Sequence, residues 1–202
     1  MTTLYGTSQS RAPRSLWALE ELGVKYEHVP TNASGDTRKP DFLKINPNGH
    51  IPTLEDGGQI FWESMAINLY LAEKYGKAPM WPATVADRGH AAQWSFWAMT
   101  EVEPPLMTIL GHKLFLPKEQ RSEKAIADAT ATLNAPLAVL DAHLKGRQYL
   151  LGSDFTIADL NAASVLSMAA FAQHDISSTP TAKAWFEKCV SRPAFQKVSQ
   201  MK

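Results

Sequence analysis

The rhythm of apolar and polar positions changes once along this chain. Over residues 1–77 short β-prone runs alternate with helical spacings, and beyond residue 86 the pattern is almost wholly helical. Thr3 to Tyr5 is a brief β-prone run. Pro13 suits the first turn of a helix whose Leu16, Leu19 and Leu22 share one face before Gly23 ends it. Tyr26 to Val29 supplies the next strand, and two strands separated by a helix of this length pair in parallel through a crossover, which predicts a βαβ unit. A short helical piece from Pro40 to Lys44 follows. Thr53-Leu54-Glu55 and the run Gln59 to Trp62 then flank Asp56-Gly57-Gly58, a hairpin signal, because two glycines supply the positive φ of a tight turn. Ser64 is placed to cap a helix carrying Ile67, Tyr70 and Leu71, with Gly76 as its stop.

The order βαβ, α, ββα predicts an α/β domain over residues 1–77 with a mixed four-stranded sheet of thioredoxin-like plan. The Pro- and Ala-rich stretch 78–86 reads as a linker, and 87–202 as an all-α helical bundle. Helices are expected over Asp87 to Leu114, Glu119 to Leu144, Thr156 to Ala172 and Pro180 to Ser191. Pro104-Pro105 should kink or break the first of them, and Thr156-Ile157-Ala158-Asp159 reads as a capping box with Asp in the reciprocal place.

Composition narrows the function classes. Lys+Arg and Asp+Glu balance at 20 each, which gives no global electrostatic reason to expect nucleic acid or an anionic membrane. No run approaches the roughly 18 uninterrupted apolar residues of a membrane span, and the start has neither a basic nor an apolar export segment, so a cytosolic location is expected. The only cysteine, Cys189, excludes an intramolecular disulfide, a CxxC redox pair and a cysteine-built zinc site. The six histidines fall in no ligand spacing, and no metal is expected.

Three segments carry candidate chemistry. Asn46-Pro47-Asn48-Gly49-His50-Ile51-Pro52 is a turn whose proline stands immediately before a strand. Where an Ile-Pro bond of this kind is cis, it leaves the N–H and C=O of Ile51 free for an extended peptide. Glu63-Ser64 stands at a helix start, where free N–H groups and the macrodipole favour an anion. The pair reads either as a plain cap or as a receptor for a free amino-acid end, its carboxylate on Ser64 and its ammonium on Glu63. Tyr5-Gly6-Thr7-Ser8-Gln9-Ser10-Arg11-Ala12-Pro13 joins the first strand to the first helix. Ser10 there is either an N-cap or a hydrogen-bond donor that lowers a thiol's pKa from its usual value of about 8.5.

In order and spacing, Leu4-Tyr5-Gly6…Ser10, Asn46-Pro47…Ile51-Pro52-Thr53-Leu54 and Glu63-Ser64-Met65-Ala66-Ile67 resemble the glutathione transferases. Leu150-Leu151-Gly152…Thr156-Ile157-Ala158-Asp159 and Arg192-Pro193-Ala194-Phe195 are similar to that family's C-terminal domain. The resemblance implies glutathione as co-substrate, with its cysteinyl backbone on Ile51, its γ-glutamyl end on Glu63 and Ser64, and its glycyl side near His50 and Arg38 or Lys39. Its thiol would meet Ser10, with Tyr5 and Arg11 as the competing activators; the spacing Gly6 to Ser10 resembles the Ser-type phi and theta classes. A small hydrophobic electrophile is the implied second substrate, held by the helical domain, where Trp94, Phe96 and Trp97 read mainly as core and Phe115 as pocket cover. A homodimer is implied as well, with Glu101 or Glu103 reaching the partner's γ-glutamyl ammonium. Glutathione peroxidase activity and a non-catalytic binding role are the alternatives to conjugation.

Overall fold

In a computed structural model, which describes residues 1–201, the chain forms two compact units. One runs from Met1 to Trp81 and is joined by the segment starting at Ser191; the other runs from Pro82 to Val190. The first is α/β with a mixed sheet and the second is helical, the fold class expected from the sequence.

The first unit begins β1 (Thr2–Tyr5), α1 (Ala12–Glu21), β2 (Glu27–Val29), α2 (Pro40–Ile45), β3 (Thr53–Asp56), β4 (Gln59–Trp62), α3 (Ser64–Tyr75). The sheet order is β2-β1-β3-β4, with β1 parallel to β2 and antiparallel to β3, and β3 antiparallel to β4. The hairpin turn has φ of +61° at Gly57 and +80° at Gly58, the double positive φ of a type I′ connection. Alternation then sorts the faces. Leu4 and Leu54 are paired across β1 and β3 and fully buried, on the side where α1 and α3 pack. Leu16, Leu19, Ile67 and Leu71 complete that core, each contributing about 1.5–3 kcal/mol by burial. Tyr5 points to the other face, edge-on to Phe42 of α2 with ring centroids 6.1 Å apart.

Asp56 ties the hairpin to α3. Its carboxylate is 3% exposed and accepts from Thr2 Oγ1 at 2.8 Å, Tyr70 Oη at 2.9 Å, Lys74 Nζ at 2.7 Å and Tyr75 Oη at 2.8 Å. Burial alone would raise this carboxyl, but the Lys74, Thr2, Tyr75 and Tyr70 donors outweigh it and hold it at about 2, against an ordinary 3.8. Because the folded value is depressed, the stabilisation is complete above the unfolded value and is lost as pH falls toward 2. Acid unfolding followed by circular dichroism should therefore begin between pH 4 and 2, and Asp56→Asn should flatten the stability profile over that interval. An identical profile in the variant would assign the acid transition to other carboxylates.

The second unit contains α4 (Val85–Trp97), α5 (Glu103–Leu110), α6 (Glu123–Leu144), α7 (Ile157–Phe171) and α8 (Pro180–Val190). Just before Pro104-Pro105 the regular α-helix gives way. A π-helical stretch, Ala98–Val102, bridges α4 to α5, so the two prolines fall in the first turn of α5, where missing N–H groups cost nothing. A second π stretch, Gly111–Phe115, extends α5. Helix α6 carries Pro136 in its interior, a cost of about 3 kcal/mol offset by Leu133, Leu137, Leu140 and Leu144, none more than 1% exposed. The α7 capping box is present. Of the aromatic run, Trp94 is buried and stacks edge-on with Trp97, whereas Phe96 is 63% exposed and does not join the core.

Helix α9 (Pro193–Ser199) follows. Its place in the chain suggests the helical domain, yet it packs on α1: Phe195 meets Trp17 edge-on at 4.8 Å, Arg192 pairs with Glu21, and Lys197 lies 2.7 Å from Glu20.

Candidate active site

Sheet register brings the three candidate segments together. Tyr5, Thr53 and Trp62 form one row across β1, β3 and β4, so the next residues along that edge, Gly6, Pro52 and Glu63, stand side by side. Neighbouring strands are about 4.8 Å apart, which puts Gly6 and Glu63 about 10 Å apart, the span of an extended three-residue peptide.

At one end of this row the β1–α1 loop is held close to the helix start. A methyl group on Gly6 would stand 2.4 Å from Ala12 Cβ and 3.7 Å from Ile51 Cβ, so only glycine fits and the loop abuts Ile51. Ser10 is half-buried. Its Oγ accepts from the Ala12 N–H at 3.0 Å and donates to the Thr7 carbonyl at 2.7 Å. The N-cap of α1 is Arg11, which is exposed, and Ser10 supplies the capping oxygen from one residue earlier.

Tyr5 lies on the α2 face of the sheet, its hydroxyl directed to Glu55 Oε2 at 3.4 Å. Burial, and then the Glu55 carboxylate, push this phenol up. A raised pKa makes it a weaker donor, and its proton already has an acceptor.

In the middle of the row the Ile51–Pro52 bond is cis, and the ladder starts only at Thr53. Asn46, fully buried, shapes this turn: its Nδ2 donates to the His50 carbonyl at 2.9 Å and to Thr53 Oγ1 at 3.0 Å, and its Oδ1 accepts from the Asn48 N–H at 3.1 Å. The sequence displays Asn46-Pro47 as a turn but does not reveal this bracing role; an asparagine opening a Pro-Asn-Gly turn was the available signal. His50 is exposed beside it. Arg38 lies over the same turn, since a methyl on Gly49 would stand 2.8 Å from Arg38 Nη1. Lys39 points elsewhere, into an ion pair with Asp36 at 2.6 Å.

At the far end Glu63, not Ser64, is the N-cap of α3, with φ +71° and ψ +115°. Positive φ in a glutamate costs on the order of 1–3 kcal/mol and recurs where geometry serves a ligand. Ser64 is therefore the first helical residue, buried to 3% exposure, and the Glu63 side chain makes no capping hydrogen bond. The first intrahelical bond is Ile67 N–H to the Glu63 carbonyl at 2.9 Å, which leaves the N–H groups of Ser64, Met65 and Ala66 facing outward from the helix start. The Glu63 side chain is exposed. In the helical unit Glu103 is buried and Glu101 exposed. Among the described residues no group of three His, Cys, Asp or Glu is placed to hold a metal ion, and no helix is long and apolar enough to cross a membrane.

The edge of the thioredoxin-like sheet thus combines an anion-receptive helix start, an open backbone segment and a helix-capping hydroxyl, groups chemically suited to a small acidic peptide. Known proteins of this kind match the whole chain. Residues 1–73 fit the family described as glutathione S-transferase, N-terminal domain, and residues 104–193 its C-terminal domain. Glutathione S-transferase GstB of Escherichia coli is 32% identical over 202 residues, covering 98% of this chain and 97% of its own. Glutathione S-transferase 3 of Zea mays is 34% identical, covering 96% and 91%. The theta-class glutathione S-transferase of Xanthomonas axonopodis pv. citri, solved with glutathione bound, superposes with a TM-score of 0.88 at 30% identity over 100% of this chain and 98% of that one. The chain belongs to the glutathione S-transferase family.

Proposed function

We propose that this protein is an enzyme that binds glutathione along the Gly6–Pro52–Glu63 row, activates its thiol as thiolate and transfers it to a small hydrophobic electrophile. The observation that carries this reading is the juxtaposition of three complementary groups over about 10 Å. The γ-glutamyl carboxylate would take the N–H groups and hydroxyl at Ser64 on the positive end of α3, with Glu63 opposite the ammonium. The cysteinyl backbone would pair with Ile51, and the glycyl carboxylate would lie toward His50 and Arg38, with Lys39 the weaker candidate because Asp36 holds it. The thiol then faces Ser10.

Ser10 is favoured over Tyr5 by what each hydroxyl is doing. In Ser10 the Ala12 N–H anchors the oxygen while its one hydrogen rests on a neutral carbonyl. Turning that hydrogen to a thiolate exchanges a neutral hydrogen bond of about 0.5–1.5 kcal/mol for a charge-assisted one of about 1.5–3 kcal/mol. For Tyr5 the same exchange would abandon a carboxylate, so nothing is gained. With the thiol proton released to solvent, the thiolate sulfur attacks the electrophilic carbon; the sulfur–carbon bond forms as that carbon's bond to its leaving group, the halide of a halonitroarene, breaks, and the anion departs to solvent with the bonding pair. The reading includes a cytosolic homodimer in which the exposed Glu101 reaches the partner's site, and a monomer in sedimentation at micromolar concentration would remove that part.

Glutathione at about 100 times its dissociation constant should stabilise the protein by about 2.7 kcal/mol. Ser64→Ala should weaken binding by about 1–3 kcal/mol, seen as a raised KM for glutathione with little change in alkaline kcat. An unchanged melting temperature in millimolar glutathione would overturn the proposal.

A further inference from the structure

His28, on β2, is absent from the catalytic reading above, yet its ring reaches the corner on which that reading depends. It is paired with Leu4 across the parallel β1–β2 ladder. A residue opposite Leu4 projects to the same face as Gly6, two positions on. Its Nε2 lies 2.9 Å from the Gly6 carbonyl oxygen. A carbonyl only accepts, so Nε2 carries the hydrogen and donates, which fixes the ring's tautomer in the neutral state.

The same carbonyl accepts from the Thr31 N–H at 3.3 Å, and the Gly6 N–H donates to the Val29 carbonyl at 3.1 Å. Gly6 is thus fastened to the strand side of the turn by three bonds, two of them from backbone that regular pairing supplies and one from a side chain that it does not. Gly6 also lies against Ala12 and Ile51, and Ala12 supplies the N–H that anchors Ser10 Oγ. A shift of the Gly6 peptide therefore moves the Ser10 hydroxyl relative to the Ile51 backbone.

The geometry points to His28 as a positioning residue: its Nε2–H sets the β1–α1 loop so that the thiol of a peptide paired with Ile51 meets its donor. This rests on the proposed thiol activation but not on Ser10 being the donor. The bond is worth an amount that a modest loop displacement forfeits, about a two- to tenfold rate at neutral pH.

Two polar variants separate position from mere structure. Glutamine places an amide N–H at the reach of histidine Nε2; asparagine places it only at the reach of Nδ1. The experiment measures kcat/KM for glutathione conjugation of a halonitroarene against pH, with thermal unfolding of each variant alongside. His28→Asn should move the thiol titration to higher pH and lower the neutral rate about two- to tenfold, recovering in alkali, while His28→Gln restores the wild-type profile. Wild-type profiles in both variants would overturn the proposal, as would equal losses in both with a lowered melting temperature, since that describes packing alone. Ser10→Ala run in parallel keeps the two readings apart. If it leaves the profile unmoved while His28→Asn shifts it, the loop donor is Arg11 or a backbone N–H and His28 keeps its role.

Discussion

Ser10→Ala should raise the pKa of glutathione's bound thiol by roughly one to two units and lower the neutral rate ten- to a hundredfold, because one charge-assisted hydrogen bond of about 1.5–3 kcal/mol is lost. The rate should recover in alkali, where the thiol ionises unaided. Tyr5→Phe is the control. Its hydroxyl is bonded to Glu55 on the α2 face of the sheet, so removing it should leave the titration in place and cost only local stability. Ultraviolet titration of the bound thiolate reads both variants directly. A larger shift in Tyr5→Phe than in Ser10→Ala would give the phenol the role and leave Ser10 a helix cap.

The second large effect concerns stability. Asp159 is fully buried and accepts from the Leu150 N–H at 2.8 Å, the Thr156 N–H and Oγ1 at 3.0 Å each, and the Trp185 indole N–H at 2.9 Å. One side chain therefore joins the turn before α7, the start of α7, and α8. Asp159→Ala strands at least two buried donors, each costing about 1–3 kcal/mol, for a total of about 3–5 kcal/mol. That is a large share of the 5–15 kcal/mol typical of a folded protein. Denaturant unfolding followed by tryptophan fluorescence should show the midpoint collapse, with Asp159→Asn intermediate because it keeps one carbonyl acceptor. A loss under about 1 kcal/mol would mean that water reaches these donors.

Much of this was legible in the sequence, and the reasons are local. Gly57-Gly58 between two β-prone runs admits little but a hairpin, and Pro13 with Gly23 brackets α1 by backbone constraint alone. The capping box before α7 is a four-residue pattern and is found intact. What the sequence hid depends on contacts between distant segments. Ser64 reads as a cap by composition, but the chain reaches α3 through a positive φ at Glu63, which moves the cap back by one residue. Pro104-Pro105 reads as a kink or break, and the regular α-helix does give way just before it; what the sequence does not show is that a π turn then seats both prolines in the first turn of α5. Phe96 reads as core from its neighbours Trp94 and Trp97, yet the turn of the helix carries it to the surface. His28 has no periodicity or motif to mark it; only the strand register brings it to Gly6.

The docking of α9 on α1 has a consequence for how the protein comes to be folded during synthesis. Arg192 and Glu21 are 171 residues apart, and closing so long a loop through unstructured chain costs on the order of 4–5 kcal/mol, more than two partly exposed ion pairs return. Their attachment is favourable chiefly once residues 82–190 have folded and no longer behave as loose chain. Until then one edge of Trp17 waits for Phe195. Of the two units, the one that carries the candidate site is thus begun before the helical unit and completed only by a segment synthesised after it.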